Sequence, residues 1–289
     1  MNAIGKILAM TRIKSKLSQP ERVQILLNEG TDSPLQALLG DQLDLFDPSD
    51  QYISRAEDDL RSWTERGIRA ISILDDVYPR NLRKIHEAPA IIYTAGTVLP
   101  DDTGVAVVGA RSASSKALAN ARLISELLVE QRITVVSGLA RGIDSQAHIS
   151  ALDSGGRTVA VMGTGLERTY PQENKNLRTR IEQDGGLILT QFEPGSPVTR
   201  ASFPMRNVTM SGYSVATIVV EASEKSGTRH QARRALMHGR NVILLPSVAR
   251  GTQWGHEMAK QPGVFVAATA SELQDHLERI KRSRELLDF

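Results

Sequence analysis

Four glycine-bearing turns in this 289-residue chain carry the residue types that hold phosphates. They are Val-Val-Gly-Ala-Arg-Ser-Ala-Ser (107–114), Ser-Gly-Leu-Ala-Arg-Gly-Ile-Asp (137–144), Met-Gly-Thr-Gly-Leu (162–166) and Glu-Ala-Ser-Glu-Lys-Ser-Gly-Thr (221–228). Each falls where an apolar run of β type hands over to a helical stretch. Glycine at such turns lets backbone N–H groups and helix N-termini approach an anion closely. A phosphate-binding rim is the leading reading.

In the first turn, Arg111 and Ser112 stand where the chain leaves its strand. There the guanidinium can fork onto a phosphate, or pair with a carboxylate at the sheet edge. The second turn offers Ser137, Gly138 and Arg141, with Asp144 either capping the next helix or binding Arg141. His148 reads as a packed helix residue. Gly163 to Gly165, followed by Tyr170-Pro171 and Asn174, makes a rim loop. Phe203, in a basic, proline-bearing loop, could stack on a base while Arg206 and Asn207 hold the backbone. A buried phenylalanine is the competing explanation. Ser226, Gly227 and Thr228 close the set. Residues 203–260 hold eight Lys/Arg against three Asp/Glu. That excess suits phosphates, or else a solvated helix face.

Several chemistries lack their residues. The first turn has no GxGxxG spacing, so NAD or FAD is not expected. There is no GxxxxGK[ST] loop, no HExxH and no GxSxG elbow. The six histidines show no metal-ligand spacing. No catalytic set assembles, so a non-enzymatic protein without cofactor or metal is expected. Absence of cysteine suits a reducing cytosol. No signal peptide is visible in Met1 to Leu17, and no apolar run approaches a membrane span. A cytoplasmic location follows as an expectation.

The elements that must position these turns are legible as well. Residues 1–67 read as a small helical domain: one helix opens at Gln19-Pro20-Glu21, another runs from Ser33-Pro34 to Gly40, and a third from about Pro48 to Arg66. Asp41 to Asp50 reads as an exposed connection. Residues 68–289 read as α/β. Strand runs lie at Ile68–Leu74, Ala90–Thr94, Val105–Val108, Ile133–Val136, Thr158–Met162, Leu187–Leu189, Thr217–Val220, Val242–Leu245 and Val264–Ala267. Continuous apolar strands alternating with helices predict a doubly wound, mostly parallel sheet covered on both faces. Ala270 to Leu287 is the closing amphipathic helix.

The ordered motifs from Val105 to Pro246 resemble the DprA/Smf family, DNA-processing proteins that bind single-stranded DNA and help load RecA. The resemblance rests on Val-Ala-Val-Val-Gly-Ala-Arg (105–111), Val-Val-Ser-Gly-Leu-Ala-Arg-Gly-Ile-Asp-Ser-Gln-Ala-His (135–148) and Thr-Val-Ala-Val-Met-Gly-Thr-Gly-Leu (158–166). Tyr-Pro-Gln-Glu-Asn (170–174), Phe-Pro-Met-Arg-Asn (203–207), Val-Val-Glu-Ala (219–222) and Ser-Gly-Thr (226–228) follow in the family's order. It implies an extended Rossmann-like fold, a role in recombination or natural transformation, a homodimer, and a RecA-type recombinase as partner. The implied single-stranded DNA pocket uses Arg111, Ser137, Gly138, Phe203, Arg206 and Asn207, near Ser226 to Thr228.

This sequence departs from the family pattern at Val208, where a second arginine is usual, at Gln231-Ala232 and at Pro246-Ser247. Ending at Phe289, it is expected to lack the winged helix of many relatives. Two other members of the superfamily stay open as alternatives. One is a nucleotide-sensing or partner-regulated module, for instance in phage defence. The other, a phosphoribohydrolase, needs a glutamate where this chain has Gln231.

Overall fold

A computed structural model describes residues 3–31 and 49–285. The helix expected over Ser33 to Gly40, most of the Asp41–Asp50 connection and the last residues of the closing helix lie outside those limits.

Helices α1 (Ala3–Arg12), α2 (Gln19–Glu29) and α3 (Ser49–Glu65) form the N-terminal part. At the start of α2, Glu21 reaches back to accept a hydrogen bond from the Ser18 amide at 2.7 Å, and Pro20 occupies the first turn. These helices share their core with the sheet. Ile7, Leu8 and Met10 of α1 and Ile53, Ala56 and Trp63 of α3 are buried in one cluster with Ile71 and Tyr93. Trp63 meets Tyr93 edge-on, with ring centroids 5.3 Å apart. Arg12 pairs with Asp59 of α3 and, just past the strand at Leu187–Thr190, with Glu193, each at 2.8 Å.

The sheet has nine strands: β1 (Arg69–Ser72), β2 (Ile91–Gly96), β3 (Gly104–Gly109), β4 (Thr134–Ser137), β5 (Thr158–Val161), β6 (Leu187–Thr190), β7 (Ala216–Glu221), β8 (Asn241–Leu244) and β9 (Val264–Val266). Their order is β1-β2-β6-β5-β4-β3-β7-β8-β9. The β1–β2 and β2–β6 pairs are antiparallel and the rest are parallel. All nine strands fall where the apolar runs predict them.

Between them lie α4 (Arg80–Arg83), α5 (Ser115–Glu130), α6 (Ile143–Asp153), α7 (Lys175–Gln183), α8 (Ser202–Tyr213), α9 (Thr228–Met237), α10 (Pro246–Ala249), α11 (Gln253–Met258) and α12 (Ala270–Glu285). Alternate strand residues feed opposite cores, as a pleat requires. Val105 and Val107 meet α5, α6 and α12 on one face. Ala106 and Val108 join the cluster of α8, α9 and the N-terminal helices on the other. At the N-terminal edge of the sheet the buried Asp102 carboxylate accepts from Arg157 Nε at 2.9 Å, Tyr213 OH at 2.7 Å and the Thr134 hydroxyl. That hub ties three strand starts to the end of α8.

One local expectation is corrected. Phe203 to Asn207 form the opening of α8, not a loop. Pro204 is tolerated there because a first-turn N–H has no helical partner to lose.

Candidate nucleic-acid interface

From β3 the chain winds outward through β4, β5 and β6, then returns to lay β7 on the other side of β3. The turns leaving β3 and β7 therefore run in opposite directions. Such a switch point opens a crevice beyond the carboxyl ends of the strands. Gly109 ends β3 opposite Glu221 of β7, with the register slipping between Val108 and Gly109. A cavity of about 300 Å3 sits there, and its walls include Gly109, Arg111, Phe203, Arg206, Asn207 and Thr228.

The turns are braced against each other. Gly142 lies at φ +73°, and a Cβ there would fall 2.3 Å from the Ala110 carbonyl oxygen. The Ile143 amide donates to that same carbonyl at 3.2 Å. Glu221 accepts from the Ser114 amide at 2.9 Å and its hydroxyl at 2.7 Å. Ser114 in turn caps α5 by accepting from the Ala117 amide at 3.2 Å. Thus the end of β7 fixes the helix that follows β3.

Arg111 is exposed and makes no ion pair among the described residues. Its guanidinium carbon lies 4.9 Å from the centroid of the Phe203 ring. Tyr170, 46% exposed, stands beside Phe203 with centroids 5.9 Å apart. A cation and a ring thus stand in the cavity wall, with a second ring beside them.

Arg206 is placed differently from the rim position expected of it. It is only 7% exposed. Its Nη1 lies 3.9 Å from Asp144 Oδ2 and 3.4 Å from the Val161 carbonyl, and its buried Nε has no partner. Gly138 makes this possible: a Cβ at that position would stand 1.2 Å from Arg206 Nη1. Burial lowers the guanidinium pKa, Asp144 raises it and the nearby Arg111 lowers it. Burial raises the Asp144 carboxyl pKa, opposed by Arg206 and by the amides of Ala140 and Gly138. Asp144 is thus the partner of Arg206 and not of Arg141.

The other predicted residues divide. Asn207, Ser226 and Gly227 join the cavity wall, and the Ser226 hydroxyl donates to Thr228 Oγ1 at 2.8 Å. Ser137 is fully buried and donates to the Val107 carbonyl at 2.7 Å, locking β4 to β3. Arg141 is exposed outside the cavity wall, held by both carboxylate oxygens of Glu173. Ser112 is exposed in the β3–α5 turn, also outside the wall. Below them, His148 Nδ1 lies 2.7 Å from Thr158 Oγ1, whose proton goes to the Val135 carbonyl. Burial, then the Arg206 charge, pushes the His148 pKa down to about 3.

Two wall residues with polar side chains were not picked out as binding residues from sequence. Asp144 was weighed only as a cap or a partner of Arg141. Gln231, 2% exposed, shares a helix face with Thr228 three residues earlier, and that spacing is the signal that marks it.

Comparison with known proteins agrees with this architecture. The family described as DNA recombination-mediator protein A matches residues 69–280. The DNA processing protein DprA of Streptococcus pneumoniae is 33% identical over 281 residues, covering 92% of this chain and 95% of its own. The X-ray structure of DNA processing protein A from Streptococcus pneumoniae covers 94% of this chain and 96% of its own, with 30% identity and a TM-score of 0.72. A Helicobacter pylori DNA processing protein A, described for its single-stranded DNA binding mode, shares the fold at 22% identity and a TM-score of 0.65, over 73% of this chain and 96% of its own. With the ordered motifs, the switch-point sheet and these matches in hand, the chain belongs to the DNA recombination-mediator protein A family, the DprA/Smf proteins.

Proposed function

We propose that the switch-point cavity binds single-stranded DNA of any sequence, holding backbone phosphates and stacking a base, without catalysis. The observation that carries this reading is the exposed Arg111 guanidinium seated on the Phe203 ring over a glycine-lined cavity. Stacking on an aromatic ring is sequence-tolerant, and a cation beside it neutralises the backbone. The Helicobacter relative, described as binding single-stranded DNA, supports it. Loading of a RecA-type recombinase belongs to the same proposal.

The test is titration of labelled oligo-dT at two ionic strengths with wild type and Arg111→Ala. Affinity should fall as salt rises, and the variant should lose about 1.5–3 kcal/mol with an unchanged thermal melt. Equal affinity of the two proteins would overturn the assignment.

A nucleotide-sensing reading is favoured by the size of the cavity, whose volume of about 300 Å3 suits a single nucleotide. Free dTMP that binds while oligo-dT does not would establish that reading instead.

A further inference from the structure

The carboxyl ends of β4, β3 and β7 hold the candidate site, and their amino ends border a second cavity. Thr103, Ile133 and Val215, just before those strands, line a space of about 980 Å3 closed on one side by α12. Its accessible wall is cationic. Arg80, Lys84, Arg132 and Lys281 are exposed around it. Among the described residues that line the space the carboxylate is Asp101, which pairs with Arg80 at 3.0 Å. Arg132 and Lys281 make no ion pair among the described residues.

The chemistry of the wall narrows what fits. Val105, Val215, Leu277 and Ile280 form its floor, but all four are already buried in the core. Ile133 is the half-exposed apolar residue there, a narrow anchor for the apolar side chains of a peptide. No aromatic ring among the described residues lines the space, so bases have nothing there to stack on. A run of phosphates is what spaced, exposed cations recognise without either.

The position of Arg132 adds a second observation. It follows α5 at φ +58°, where its amide and that of Ile133 close the helix end onto the Val129 and Leu128 carbonyls. Glycine meets that geometry without strain, yet the chain keeps a cation there.

We propose that this edge is a second phosphate-contact surface, reached by the same strand after it leaves the switch-point cavity. The inference rests on the proposed function above. Six-residue β3 separates the two sites by about 20 Å, so only a strand long enough to run round the sheet touches both.

The experiment compares wild type, Arg132→Gly with Lys281→Gln, and Arg111→Ala, using oligo-dT of about 6 and about 40 nucleotides. Glycine at 132 suits the left-handed backbone, so the double variant stays folded, and its thermal melt checks this. It should bind the long oligomer about three- to tenfold more weakly, with a salt slope shallower by about one to two, and bind the short one as wild type does. Arg111→Ala should weaken both lengths. An unchanged long-oligomer affinity, or equal loss at both lengths, overturns the second surface alone. Failure of wild type to bind either length overturns the proposed function with it. Loss of a polyglutamate peptide by the double variant, with long-oligomer affinity intact, would make this edge a protein-docking surface and overturn the assignment.

Discussion

At the residue scale, the buried Arg206–Asp144 pair governs what substitutions near the site can report. Removing one member of a buried pair leaves an uncompensated charge, which costs about 3–5 kcal/mol. Arg206→Ala should therefore lower the melting temperature sharply, in contrast to the exposed Arg111→Ala; equal melts would show that Asp144 is satisfied without Arg206. His148 supplies a pH test. Its folded pKa of about 3 lies below the unfolded value, so the unfolded chain binds more protons between roughly pH 6.5 and 3. Stability contributed by neutral His148 is complete above that window and is lost as pH falls. His148→Asn keeps a donor for Thr158 and removes the titration. Denaturant unfolding at pH 7 and 5 should show wild type losing about 2 kcal/mol more than the variant; parallel losses would reject the burial of an uncharged ring. In the sequence Arg111 and Arg206 read as equals, each a candidate for holding a phosphate. Only the fold separates them, because Gly138 and Asp144 lie more than sixty residues before Arg206 in the chain.

At the scale of elements, the turns are legible because strand runs such as Val105–Val108 are continuously apolar and end at glycine. The nine strands follow from that pattern alone. The opening of α8 was not legible, since a proline and an arginine beside Phe203 read as a loop until the helix is seen to begin there. The β4–α6 turn carries its own prediction. In Gly138→Ala the new methyl group falls on the Arg206 guanidinium, so the pair must part or the turn must move. Both folding stability and oligo-dT affinity should drop. Wild-type behaviour of Gly138→Ala would mean the arginine lies elsewhere.

At the scale of the molecule, the N-terminal helices share one core with the antiparallel edge of the sheet, so the two parts named from sequence are continuous in packing. Among the described residues no helix is long and apolar enough to cross a membrane. A homodimer is proposed, since a small cavity of the proposed function gains avidity when two act on one strand. Sedimentation at micromolar concentration should give a dimer, and a monomer would reject it. The pairing of β3 with β7 has a temporal consequence. More than a hundred residues separate Gly109 from Glu221, and their meeting completes the cavity. Such a distant contact forms slowly, after local helices and neighbouring strands. During synthesis a chain that has emerged only as far as β6 has no cavity, whatever else it has folded. The cavity therefore takes shape late, when β7 closes against β3 and carries the turn that follows it into the wall.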